Sequence, residues 1–418
     1  MRVAVVTGAI PNPTTGGGAL TAWSATQSLL RGGHEVVVYA LHGLHTSPSA
    51  RKEEAQIAEL ERAGARVRLV TAGSGTGRPA RESRWRATLW PGLEQYYPAC
   101  LLGGRLRELL DADRPDVAFA YHFEALAALR GAPVPVFGAV GDPTHLPGWY
   151  AWQAVTPAWS RAYASRTWST LVSCAHLPRY MRALLAPCRA TGAFAAHHAA
   201  WFRRIGVRGC AYLRTPVIDD VGADGEAQRA RRHRPGRTRI LLVGHLKGTA
   251  TLSGMYLFAR EILPRLEAEL GPANLEVRIV GGYEPPADLR ALLDRPGVTM
   301  VGQVEPATEE FMSCDVLLVP TPIRLGIRVR ILTGFATGSC IVAHSANRLG
   351  IPELIDGKNA LLGSTGPELA AAVLRASADS GLRAQLRQEA RRTYEQSFSL
   401  ETAGRLLVDE LERVAGTS

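Results

Sequence analysis

Lysine is almost missing from this chain. Of its 48 basic residues only Lys52, Lys247 and Lys358 are lysines, and the other 45 are arginine. Beside so much alanine and glycine, that bias looks like genomic base composition. It also makes each surviving lysine a hint that a compact ammonium is wanted there. Cysteine is scarce too: Cys100, Cys174, Cys188, Cys210, Cys314 and Cys340 are scattered and form no CxxC pair. That argues against a structural zinc site and for buried, reduced thiols. No apolar run approaches the roughly 20 residues a membrane-spanning helix needs. The start, MRVAVVTGAIPNP, lacks a small-residue cleavage site and passes at once into a strand pattern, so a cytoplasmic location is expected. No short-period repeat is visible.

What is present is a globular composition, 46% apolar and 21% charged over 418 residues, long enough for two domains. The formal charge of +10 favours anionic partners such as nucleotides, phosphates, an acidic membrane face or a nucleic acid. Buried-strand runs alternate with amphipathic helices: RVAVVTG (2–8), HEVVVYAL (34–41), DVAFAYH (116–122) and VPVFGAVG (134–141), then again RILLVG (239–244), LEVRIVG (275–281) and DVLLVP (315–320). This spells βαβ units and parallel sheets. The expectation is an α/β chain of two Rossmann-like, doubly wound domains facing across a cleft. Residues 1–218 form the first domain, 219–237 a polar linker, 238–396 the second domain, and 397–418 a final helix packing back on the first. Residues 149–201 read as helical, with an unusual density of Trp, Tyr and Arg. That segment suits an acceptor pocket, ordinary packing or a peripheral membrane contact.

In open α/β sheets ligands gather at the carboxyl ends of the strands. After the first strand, Gly16, Gly17 and Gly18 let backbone approach a ligand and open a helix whose N–H groups attract anions. A nicotinamide fold is disfavoured, because the glycines lie too far past the strand for GxGxxG and the second strand ends without an acid for a ribose. His122, Asp142 and His145 follow two further strands, and each also suits a turn or cap. In the second half, Gly244-His245-Leu246-Lys247-Gly248 leaves a strand and places an ammonium where it can meet a phosphate. Arg328 and Arg330 stand at a helix start, where basic side chains oppose the dipole unless an anion is bound. They read as a diphosphate clamp. Glu353 and Lys358 lie in a glycine-bearing turn that fits sugar hydroxyls or a plain turn equally.

Taken together, VGHLKG (243–248), VTMVG (298–302), DVLLVP (315–320), GIRVR (326–330), ATGSCIVA (336–343) and GIPELIDGKN (350–359) resemble the two-domain GT-B glycosyltransferases of the family-4, retaining kind. The resemblance covers both domains and is strongest over 239–396. It implies a sugar transferred from a nucleoside diphosphate sugar to a small-molecule or glycan acceptor, and the composition bias adds the expectation of a bacterial biosynthetic pathway. Gly17 and Gly18 would approach from the first domain. Gly244, His245, Lys247, Gly302, Arg328, Arg330, Thr333 and Glu353 would hold the donor, and His122, Asp142 and His145 would serve the reaction. No metal or other cofactor is implied, since cationic side chains and helix N-termini neutralise the leaving group. The pair Asp111/Asp113 lies on the approach to an inner strand and is not read as a metal site. The family's carboxylate pair, eight residues apart, falls here on Leu325 and Thr333. That departure motivates a second reading, a catalytically silent protein that binds sugar nucleotides. A third, nucleic-acid binding through QRARRHRPGRTR (228–239), is set aside for a solvated linker because the run lacks interleaved aromatics.

Overall fold

The computed structural model describes residues 1–14, 16–42, 50–71, 91–154, 161–222, 225–232 and 236–416. Thr15 of the glycine loop, the irregular Arg/Trp stretch before residue 91, residues 155–160 of the aromatic segment, and residues 223–224 and 233–235 of the polar stretch lie outside them. The chain divides into two units, Met1–Thr215 with Gly404–Ser418, and Pro216–Ala403.

The first unit is built on seven parallel strands: β1 (Arg2–Thr7), β2 (Glu35–Leu41), β3 (Arg66–Val70), β4 (Val117–Tyr121), β5 (Val136–Val140), β6 (Ala190–Ala193) and β7 (Ala211–Tyr212), in the order β3-β2-β1-β4-β5-β6-β7. β1 and β4 are β-branched or apolar at almost every position and buried along their length, as strands covered on both faces must be. The final helix, Arg405–Ala415, belongs to this unit, packs on helix Gly17–Arg31, and sets Glu412 3.3 Å from His34 Nε2.

The second unit carries β8 (Thr238–Val243), β9 (Leu275–Val280), β10 (Val298–Gly302), β11 (Val316–Val319), β12 (Ile341–His344) and β13 (Leu361–Gly363), in the order β10-β9-β8-β11-β12-β13, also parallel. Both units are therefore doubly wound. Strand order reverses between β1 and β4 in one and between β8 and β11 in the other, and those are the crevices where such sheets bind ligands.

The structure differs from the sequence reading in two places. Residues 149–201 are not helical throughout, because β6 interrupts them with the sequence ATGA. Packing is tight at its glycine: a Cβ on Gly192 would sit 3.1 Å from Leu213 and 3.5 Å from Phe137. The polar stretch 219–237 is not simply a solvated linker, since it contains helix Gly225–Arg232. Arg229 of that helix is 5% exposed and donates to the carbonyls of Phe311, Met312, Cys314, Thr337 and Gly338. One guanidinium thus satisfies carbonyls left open at the ends of two helices. A residue spent in this way is not available to a nucleic acid.

Candidate functional site

At the β1/β4 crevice the glycine loop is tied to the neighbouring strand. Tyr121, the last residue of β4, donates its hydroxyl to the Gly18 carbonyl at 3.0 Å and also bonds Thr21 Oγ1. No side chain caps helix Gly17–Arg31, and a Cβ on Gly18 would meet nothing within 4 Å, so this helix start is open to a ligand.

Directly after Tyr121, His122 adopts φ 70°, a conformation uncommon for a non-glycine residue and frequent where function holds a side chain in place. The Gly141 N–H donates to His122 Nδ1 at 3.1 Å, which leaves the ring proton on Nε2. Burial pushes this imidazole down to about 4, so His122 is a neutral hydrogen-bond donor at physiological pH. In the unfolded chain the same group takes its proton near pH 6.5. Between those two values the unfolded state binds the extra proton. Stability is therefore lost as pH falls from 6.5 towards 4, by about 3 kcal/mol in total. Urea unfolding of wild type and His122→Asn at pH 7 and pH 5 checks this: the variant should lose distinctly less on acidification.

Asp142 and His145 follow β5. An Asp142 carboxylate oxygen lies 3.4 Å from Nδ1 of His198, which is 2% exposed in the first turn of helix Ala196–Arg204. His197 packs against His198 with ring centroids 3.9 Å apart, and His145 against Trp201 at 5.4 Å. Burial lowers the pKa of His145. The ends of β4, β5 and β6 thus carry four imidazoles, of which His198 meets the partly exposed Asp142 carboxylate. His197 and His198 were missed in the sequence because the strand that delivers them has no hydrophobic run.

In the second unit the crevice between β8 and β11 is occupied by Arg330. Helix Val329–Ala336 has Arg328 at its N-cap position and Arg330 as its second residue. The Arg330 guanidinium donates through Nη1 to the Val243 carbonyl and to Thr251 Oγ1 (3.3 Å), and through Nη2 to Thr321 Oγ1 (2.7 Å). Its Nε finds no partner, and no carboxylate among the described residues lies within ion-pair distance. Burial and the neighbouring Arg328 push its pKa down to about 9. A half-buried cation held only by neutral oxygens at a helix N-terminus is costly until an anion joins it. Gly244 makes room for it: a Cβ there would lie 2.3 Å from Arg330 Nη1.

Around this centre stand the other expected donor residues. Gly244 bonds the end of β9, and Gly281 N–H reaches the Gly302 carbonyl at 2.8 Å. His245 and Lys247 project from the loop after β8, and both meet Tyr283, with ring centroids 5.5 Å apart and Lys247 Nζ 4.3 Å above the tyrosine ring. Tyr283 is 58% exposed and holds φ 74°. A backbone conformation is invisible in sequence, which is why this residue was overlooked. Thr333 sits one turn into its helix and donates to the Val329 carbonyl at 3.2 Å, while Leu325 is 5% exposed. Glu353 lies in the loop after β12, its carbonyl accepting from Asn359 at 2.7 Å. Asp113 is buried beneath Tyr39 (2.8 Å) and Arg68 (3.1 Å), as a structural anchor. Among the described residues, no group of three or more His, Cys, Asp and Glu side chains is arranged to hold a metal ion. None of their helices is long and apolar enough to cross a membrane.

Residues 237–379 match the family described as Glycosyl transferases group 1. Among solved structures the chain is similar to Anabaena HepE in complex with UDP and glucose, at 16% identity and a TM-score of 0.67 over 99% of each chain. It is similar to sucrose-phosphate synthase from Thermosynechococcus elongatus, at 15% identity and a TM-score of 0.68 over 100% of each chain. The S. aureus protein TarM, in complex with Fondaparinux, alpha-GlcNAc-glycerol and UDP, gives 7% and 0.68 over 99% of each. No curated protein sequence matches the chain. Residues 237–379 thus carry a domain of the glycosyl transferases group 1 kind, and the fold of the whole chain is the GT-B fold of these solved structures.

Proposed function

We propose that this protein is a retaining, metal-independent glycosyltransferase that moves a sugar from a nucleoside diphosphate sugar to a small-molecule or glycan acceptor in a bacterial biosynthetic pathway. One observation carries this reading: the Arg330 guanidinium is half-buried at a helix start beside Gly244, with neutral partners only. A diphosphate supplies the missing negative charge, and the guanidinium, Lys247 and the helix dipole take up the charge that develops on it as the sugar leaves. The bond from the anomeric carbon to phosphate oxygen breaks, the bond to the acceptor oxygen forms on the same face, and the acceptor proton passes to the leaving diphosphate. In the first unit His122 donates from Nε2 and Asp142 accepts, which suits the orientation of an acceptor hydroxyl. UDP is the first nucleotide to test, because HepE and TarM are described with it.

Incubating the protein with UDP-, GDP-, dTDP- and ADP-sugars in EDTA, and following release of the nucleotide, tests the proposal. Turnover of one of them without added metal is expected, and turnover that requires a divalent cation would remove metal independence from the account. A second reading, a silent protein that binds sugar nucleotides without transfer, rests on Leu325 being buried and on the Thr333 hydroxyl being committed to its own helix. It predicts nucleotide binding with no release from any donor.

Tyr283 gives the nucleobase a flat surface next to Lys247. Tyr283→Gly should raise stability by about 1 kcal/mol by relieving the left-handed backbone. It should also weaken nucleoside diphosphate binding about tenfold while leaving inorganic pyrophosphate binding unchanged. Paired melting and titration experiments read both effects.

A further inference from the structure

A cavity of about 440 Å³ opens in the first unit where β6 and β7 begin, at the opposite end of the parallel strands from Gly18 and His122. Four arginines line it. Arg182 comes from the last turn of helix Arg161–Leu185, Arg189 from the turn into β6, Arg208 from the turn before β7, and Arg413 from the final helix. One carboxylate, Glu410, shares the wall and already pairs with Arg413 at 2.5 Å. Arg182, Arg189 and Arg208 make no ion pair among the described residues. Helix C-termini carry partial negative charge and account for arginines in last turns, such as Arg182 and Arg413. Arg189 and Arg208 stand beyond the helices, so the positive charge exceeds what the dipoles balance.

Arg182 packs over Gly206, its Nε and Cζ in ordinary contact at 3.6 Å and 3.7 Å from where a Cβ would stand. We propose that this cavity is a second anion site, separate from the Arg330 crevice, for a phosphate-bearing ligand with two or more negative charges. Several guanidinium forks converging on one space fit the oxygens of a phosphate better than a single carboxylate. The phosphate belongs either to a soluble phosphorylated compound or to an acidic lipid headgroup. The proposal stands independently of the donor reading.

The test uses the full chain carrying Arg330→Met, which silences the donor crevice, with and without Arg182→Gln, Arg189→Gln and Arg208→Gln. Inorganic pyrophosphate is titrated calorimetrically, and sedimentation with vesicles of phosphatidylcholine alone or with phosphatidic acid is measured in parallel. The Arg330→Met protein is expected to bind pyrophosphate or the acidic vesicles, and the added substitutions should weaken that binding at least about tenfold. Binding of pyrophosphate alone assigns a soluble ligand, and capture by acidic vesicles assigns a lipid. Because the three arginines are exposed, melting points of the unliganded proteins should agree. If they do not, the single charge reversal Arg189→Glu carries the comparison. Equal binding with and without the three arginines, or no binding of either probe by the Arg330→Met protein, overturns the proposal.

Discussion

Replacing Arg330 by methionine is expected to lower kcat/KM for sugar release about a thousandfold while changing stability by less than about 1 kcal/mol. The two halves of this expectation share one cause. In the unliganded protein the guanidinium is half-buried, its pKa is pushed down to about 9, and its partners are the Val243 carbonyl and the hydroxyls of Thr251 and Thr321. Those hydrogen bonds offset part of the desolvation and no more, so an apolar side chain of similar length costs the fold little. With a nucleoside diphosphate bound, the same group becomes a charge-assisted donor in a water-poor crevice, and its loss is felt in full. Arg330→Lys should keep the charge and lose the two-armed reach, falling about tenfold below wild type. Steady-state kinetics with thermal melts check the series. A structural arginine would give the reverse pattern, a large loss of stability with kinetics little changed in the protein that remains folded.

Gly244→Ala should reproduce much of that loss without touching a charged group. The new methyl would lie 2.3 Å from Arg330 Nη1 and 2.7 Å from Thr251 Oγ1, at a residue with φ 152°. Alanine is strained there, and the end of Arg330 is the atom group free to yield. The guanidinium is displaced from the place where the diphosphate should sit. A fall in kcat/KM of about a hundredfold and a destabilisation of about 2 kcal/mol are expected. Because both substitutions act on one side chain, the double variant Gly244→Ala/Arg330→Met should be no less active than Arg330→Met alone. Independent, additive losses would show that Gly244 acts through something other than Arg330.

Much of this was legible in the sequence, for physical reasons. Strands such as RVAVVT and VLLV are buried on both faces and announce themselves as apolar runs, and two series of such runs required two doubly wound sheets. The position of the arginine pair at a helix start was legible because an apolar helical period begins just after it. What could not be read depended on contacts made over long distances in the chain. ATGA is a strand because it pairs with β5 and β7, and no local pattern records that. Arg229 sits in a run that looks solvated, yet it meets five carbonyls. Thr251 and Thr321 are ordinary threonines until the fold brings both to Arg330. His198 reaches Asp142 only because β6 lies beside β5.

The most direct test of the central claim is a calorimetric titration of UDP into wild type and Arg330→Met, with EDTA present throughout. The account predicts saturable binding by wild type and a loss of at least about tenfold in the variant. No binding by wild type in chelator, or equal affinity in the two proteins, would contradict it.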